Sequence, residues 1–354
     1  MNFGKYLMEQ AQRHPSVQPQ DIVKMCYQAA YGAEHLLSDL KGARKYLEEE
    51  YAAAEARDME LYENISDHVC RINLSAWKST GMPLEWLFRI FVASVGIADL
   101  GGPFDRYLKE AGQAAEEGRL PFGTADWERY LLSYSHRMSE TAVHSPVHHS
   151  SRYREAEKPA YRLADRRYTR LLPVLEKAAQ LSVPGRPCVI AIDGRAASGK
   201  STMAQQLSKI LDASVIRMDD FFLPPDLRTP GRYAQPGGNV HYERFLEEVI
   251  PYICLPECFS YRIFDCGKMD YDGRCQVESR QFRIVEGSYS CHPLFGRYAS
   301  LTVYLDVEPG EQMDRISLRN GEAIAEMFRK KWIPLEEEYF EAYRIGEKTD
   351  IRFS

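Results

Sequence analysis

The chain has 354 residues, of which 44% are hydrophobic and 27% charged, and a formal net charge of −6. This is ordinary globular material, long enough for two domains and too apolar for extended disorder. The acidic balance argues against a general nucleic-acid binder or a membrane-surface protein, leaving room only for a local basic patch.

Residues 1–16 lack the apolar core and cleavage site of a secretory signal, so a cytoplasmic protein is expected. The first half reads as helical and the second alternates strands with helices, which predicts two domains in series, 1–182 and 183–354. Pro19 and Asp21 open a helix whose apolar positions Val23, Cys26, Ala30 and Ala33 recur at threes and fours. Leu84, Leu87, Phe88, Phe91 and Val95 repeat that spacing until Gly101, Gly102 and Pro103 stop it. The surrounding stretch 87–100 contains Arg89 and Asp99 and falls far short of the roughly 20 apolar residues of a membrane span. Tyr161, Ala164, Tyr168, Leu171, Leu175 and Ala179 predict a third helix, with Pro159 in its first turn and a kink at Pro173. Residues 182–187 form the linker.

His136, His144, His148 and His149 carry no H-x-x-x-H spacing with a carboxylate nearby and read as surface or turn histidines. Arg152, Arg154, Lys158, Arg162, Arg166, Arg167 and Arg170 would suit a phosphate-bearing ligand or RNA. A solvated helix face is the preferred reading, because the same segment carries the apolar stripe. The eight cysteines, five of them between 254 and 291, form no C-x-x-C pair and match no zinc-ribbon or finger spacing. They read as reduced thiols filling space near strands.

The most informative segment is 189–202, which sets G-x-x-x-x-G-K-S between an apolar strand and a helix. Gly194 and Gly199 let the backbone turn its N–H groups toward a phosphate, and the helix N-terminus adds positive potential. The expected nucleotide-binding residues are Gly194, Arg195, Ala196, Ala197, Ser198, Gly199, Lys200, Ser201 and Thr202. Lys200 would sit on the β and γ phosphates, and the Ser201 hydroxyl would ligate magnesium. Downstream, a strand at 214–218 delivers Asp219 and Asp220 at its C-terminal end, where ligands of open α/β sheets bind. A carboxylate there could accept a proton from an attacking hydroxyl. Glu286 closes the strand begun at Arg283, the place for a carboxylate that supports magnesium.

At these residues the chain resembles the uridine kinase branch of P-loop kinases over about 183–344. The pieces are the 194–201 loop, Asp219-Asp-Phe-Phe222, the 237–245 segment, 261–265, Glu286-Gly287 and 315–320. The resemblance implies an α/β fold, a P-loop NTPase-type parallel sheet with flanking helices, preceded by a separate all-α domain. It implies ATP and Mg2+ as cofactors and transfer of the γ-phosphoryl group to a hydroxyl of a nucleoside or similar metabolite. Asp219 would be the general base, and Ser201, Glu286 and Asp219 the metal set. Arg319, with Arg315, would press on the transferring group from a lid. Asp220, His241, Tyr261, Arg262 and Phe264 are the acceptor-site candidates. His241 stands where uridine kinases carry an acid for the sugar hydroxyls, and Tyr261, Arg262 and Phe264 could equally alternate between core and surface of a strand. Pro334 is expected to start a closing helix. A nucleotide-gated binding protein is the alternative, and a homo-oligomer is compatible with either. No N-K-x-D guanine signature follows a strand, since 347–350 lacks the asparagine.

Overall fold

A computed structural model describes residues 3–32, 39–94, 103–141 and 146–354, with side chains left aside at 137–141. The chain forms two compact units, Met1–Arg170 and Leu171–Ser354. Val95, His144 and the Gly101-Gly102 stop lie outside the described residues, as does Ala33.

The first unit is mainly helical. Pro19–Tyr31 is a helix that buries Val23, Cys26 and Ala30, and Asp21 in its first turn accepts the Gln18 amide at 3.0 Å. Leu84–Ala93 buries Leu87 and Phe91, and Pro103 opens the next helix, Pro103–Glu116. Phe3, Leu7, Ile22, Met25, Phe104 and Trp127 share one core. No helix among the described residues is long and apolar enough to cross a membrane.

The unit also contains a small antiparallel sheet that the periodicity did not announce, with β1 (Tyr62–Asn64), β2 (Val69–Asn73) and β3 (Tyr161–Asp165) in the order β1-β2-β3. The helix expected across 161–179 is therefore corrected. Tyr161–Asp165 pairs with β2, Arg166–Leu171 is a 3-10 turn, and an α-helix runs only over Leu172–Leu181. Four consecutive buried residues, Arg162 to Asp165, suit a strand and not one helical face. The Asp165 carboxylate then accepts the Arg167 amide at 2.7 Å and turns the chain. Pro173 lies in the first turn of the following helix, where its missing N–H costs nothing, so it does not kink a longer rod. That helix packs on the central sheet of the second unit.

The second unit is built on a five-stranded parallel sheet of β4 (Cys188–Gly194), β5 (Ser214–Arg217), β8 (Phe282–Glu286), β9 (Leu301–Leu305) and β10 (Ile351–Phe353). The order is β10-β9-β4-β8-β5, with the loop-bearing strand in the middle, a P-loop NTPase-type α/β arrangement. β4 and β8 are buried at every position, which explains the apolar runs 189–192 and 284–285 and leaves Asp193, Arg283 and Glu286 as buried charged groups. An antiparallel hairpin of β6 (Phe259–Asp265) and β7 (Asp270–Val277) stands apart from this sheet.

Arg283 in β8 is fully buried. Its guanidinium donates to the carbonyls of Tyr252, Ile253, Leu255 and Glu257 at 2.6–3.0 Å, tying an irregular segment to the sheet. Arg283→Met would strand those carbonyls, at a cost of about 3 kcal/mol or more. Urea unfolding measures this, and a loss below about 1 kcal/mol would contradict it.

Candidate active site

β4 ends at Gly194, whose φ is +140° and where a Cβ would lie 2.1 Å from the Leu305 carbonyl oxygen. Only glycine lets the chain leave the sheet while still pressed against β9. Gly199, at φ +98°, closes the loop, and the helix Lys200–Leu211 follows directly. The first-turn amides of that helix have no intrahelical acceptor and form a ready anion cradle.

The loop is clasped from below by two acids that the motif alone did not reveal. Asp193 is completely buried and accepts hydrogen bonds from the amides of Gly194 (2.8 Å), Tyr289 (3.1 Å) and Cys291 (2.9 Å) and from the Tyr339 hydroxyl (2.8 Å). Glu336 accepts the Ala196 amide at 2.8 Å and the Ser288 hydroxyl at 2.7 Å. Burial pushes both carboxyls up, and these hydrogen bonds pull against it. The Lys200 ammonium rests on the Gly194 and Arg195 carbonyls at 2.6 and 2.7 Å. Arg195 turns aside to Glu337 and Asp306, each at 2.7 Å, and Ser198 is buried.

Glu286 is the last residue of β8, level with Ile192 of β4 and Arg217 of β5. It accepts the Ser201 hydroxyl at 3.0 Å. Burial, and then the charge of Asp219, hold its carboxyl above the usual range. Asp219 lies in the 3-10 turn Met218–Phe221 that follows β5. A cavity of about 600 Å3 gathers Ala196, Ala197, Gly199, Lys200, Ser201 and Thr202 with Asp219, Glu286, Arg315, Arg319 and Glu336. Arg315 and Arg319 come from the helix Pro309–Asn320; Arg315 also donates to the Ala197 carbonyl at 3.0 Å.

The five acceptor-site candidates do not line this cavity. Asp220 accepts the Tyr261 hydroxyl at 2.8 Å, and burial raises its pKa. Tyr261 is wholly buried, its ring 5.0 Å from that of Phe221. Arg262 is paired with Glu248 at 2.5 Å. Burial opposes ionisation of Glu248, yet hydrogen bonds from Arg244 and Arg262 pull it down to about 2. Phe264 is buried edge-on to Tyr271. His241 precedes the helix Tyr242–Glu248, with Nδ1 3.1 Å from Glu243. His241 thus caps its helix, and the other four side chains build the hairpin and its packing against the turn after β5.

The wall is formed instead by Phe222, Leu223, Arg228, Tyr233, Asn239 and Cys266, together with Met327, Phe328 and Trp332. Phe222 and Asn239 lie inside motifs visible in the sequence, each two places from a residue chosen there, Asp220 and His241. Glu336 sits in the first turn of the helix Ile333–Tyr343, where Pro334 is also found. Its signal was an acid run after a proline, which reads equally as an ordinary helix start.

No family model and no curated protein matches the chain. Among solved structures it is similar to a possible uridine kinase from Bacillus stearothermophilus, at 18% identity and a TM-score of 0.41, over 53% of this chain and 100% of that one. It is similar also to D-glycerate 3-kinase from Cryptococcus neoformans, at 13% identity and a TM-score of 0.37, over 52% of this chain and 91% of that one. These are likenesses of fold across about half the chain.

Proposed function

We propose that the second unit is an ATP- and Mg2+-dependent kinase that transfers the γ-phosphoryl group to a hydroxyl of a nucleoside or nucleoside-like metabolite. The observation that carries this reading is the gathering of Ser201, Glu286, Asp219, Lys200, Arg315 and Arg319 around one cavity at the C-terminal ends of the parallel strands. Ser201 and Glu286 present hard oxygen donors 3.0 Å apart, and Glu286 is a buried acid raised by a neighbouring carboxylate. That pair fits magnesium, which in such sites takes one or two protein oxygens and leaves its other positions to phosphate and water. When bound, the ion supplies charge neutralisation on the β- and γ-phosphate oxygens.

The residues of the chain do the rest. The loop amides and Lys200 hold the phosphates, the ammonium exchanging two carbonyls for anionic oxygens. Asp219 orients the acceptor hydroxyl and takes its proton as the oxygen attacks the γ-phosphorus. The bond to the β–γ bridging oxygen breaks, and ADP leaves. Arg315 and Arg319 stabilise the charge that collects on the transferring oxygens. Phe222, Tyr233 and Trp332 give the wall flat apolar faces suited to a planar base, with Asn239 and Arg228 available for polar recognition. A cytoplasmic location goes with this chemistry, since ATP is plentiful there.

Asp219→Asn is expected to leave ATP affinity within about two- to three-fold while acceptor-dependent ADP formation falls by roughly 10²–10⁴-fold. ATP titration and coupled-assay turnover on the same preparation test this; full turnover in the variant would overturn the assignment of the base. A pH prediction follows from Glu286. Because its folded carboxyl is raised, it protonates at a higher pH than a free glutamate, and only the ionised form supports the metal. Apparent Mg2+ affinity should therefore fall further on acidification in the unmodified protein than in Glu286→Gln, which has no group to titrate there. An equal fall in the two proteins, measured by Mg2+ titration of ATP binding at several pH values, would contradict it.

A further inference from the structure

The first unit encloses its own cavity, of about 840 Å3, with walls from the helices Pro19–Tyr31 and Leu40–Ala53 and from residues 146–163. Five Lys/Arg side chains line it, Lys24, Arg57, Arg154, Lys158 and Arg162, against three glutamates. The glutamates are all engaged. Glu55 pairs with Arg57 at 3.0 Å, Glu50 with Arg162, and Glu157 with His14 at 2.7 Å. None of these pairs takes up Lys24, Arg154 or Lys158.

Arg162 is the sharpest feature. It is 7% exposed, so its guanidinium is nine-tenths removed from water. Nη1 donates to Glu50 and to the Tyr161 carbonyl, and the guanidinium carbon lies 5.3 Å from the centre of the Tyr46 ring, but Nη2 is buried without a hydrogen-bond acceptor among the described residues. An unmet donor on a buried cation is costly, and a small rotation of the side chain that let Nη2 meet an incoming anion would relieve that cost. Among the described residues Lys24 donates only to the Val147 carbonyl, at 3.1 Å. Burial and then the Arg71 charge lower its pKa to about 8, and Glu50, the acid held by Arg162, also acts on it. An incoming anion would relieve both cations.

The neighbouring polar wall is already saturated. His149, read from the sequence as a surface or turn histidine, is buried and lies between Asp21 (3.0 Å) and the Tyr161 hydroxyl (2.8 Å). Gln28 completes the chain by bonding both Tyr161 and Arg71. With that wall satisfied, Arg162 and Lys24 are the least exposed cations of the cavity, while Arg57, Arg154 and Lys158 are exposed. Phe91, Ala43 and Leu163 add apolar surface, and the volume is that of a metabolite site, far larger than a bare ion.

We propose that this cavity binds a small phosphate-bearing organic anion, its phosphate group taken by Arg162 and Lys24 and its organic part by the apolar and tyrosine walls. The excess of unpaired cations favours a doubly charged group over a single carboxylate. The proposal stands independently of the kinase reading. It also gives the basic segment found in the sequence a concave site, in place of a solvated helix face.

The test is hydrogen–deuterium exchange of the full chain titrated with inorganic phosphate, at ionic strength held constant with chloride. Phosphate should slow exchange in 20–28 and 147–163, separately from any effect on the P-loop at 194–202. Arg162→Met should raise the phosphate concentration needed for the first effect by at least about ten-fold and leave the second unchanged. Lys24→Met, which gives up only one carbonyl contact, should shift it in the same direction and decides the matter if Arg162→Met does not fold. Protection confined to 194–202, or an unshifted midpoint in the folded variants, would overturn the proposal.

Discussion

The second unit depends on one buried carboxylate. Asp193 ends the apolar run of β4, and its four hydrogen bonds join the P-loop, the loop after β8 and the closing helix in one place. A fully buried acid is unfavourable unless its oxygens are satisfied, so the three segments are held in a single mutual arrangement. Glu336 extends the clasp by holding the Ala196 amide and Ser288. The 194–199 loop is thus shaped before any ligand arrives, and an anion bound there would not have to supply the cost of ordering it.

The same clasp sets the electrostatics. Asp193, Glu286 and Glu336 all feel the Lys200 ammonium, which lowers each of them against the effect of burial. Lys200 is therefore the shared counter-charge of the site. In the proposed reading, phosphates would compete for it with three acids and two carbonyls, and Ser201 and Glu286 would hold a divalent ion whose positive charge the acids would share.

What was legible in the sequence was local. The P-loop, the acid after β5 and the acid ending β8 are each short patterns set by one strand end, and the structure gathers them on one cavity. The remaining wall of the cavity was not legible, because it depends on how the β6–β7 hairpin packs. Tyr261 and Phe264 are turned into the core, while Phe222 and Asn239 face the cavity from motifs where neighbours were singled out. The stripe from Tyr161 to Ala179 misled for a related reason. Its helical spacing is shared between a strand, a 3-10 turn and a shorter helix, and only pairing with β2 reveals the break. His149 likewise owes its burial to Asp21, 128 positions away.

The central claim is direct phosphoryl transfer from ATP to an acceptor hydroxyl. It is tested most directly with Mg-ATP carrying 18O in its γ-phosphoryl group, a panel of nucleosides, vitamins and sugars, and mass spectrometry of every acceptor. The account predicts one class of acceptor gaining the labelled phosphoryl group, with ADP formed in equal amount. Bound ATP whose label appears only in inorganic phosphate, whatever acceptor is present, would contradict it.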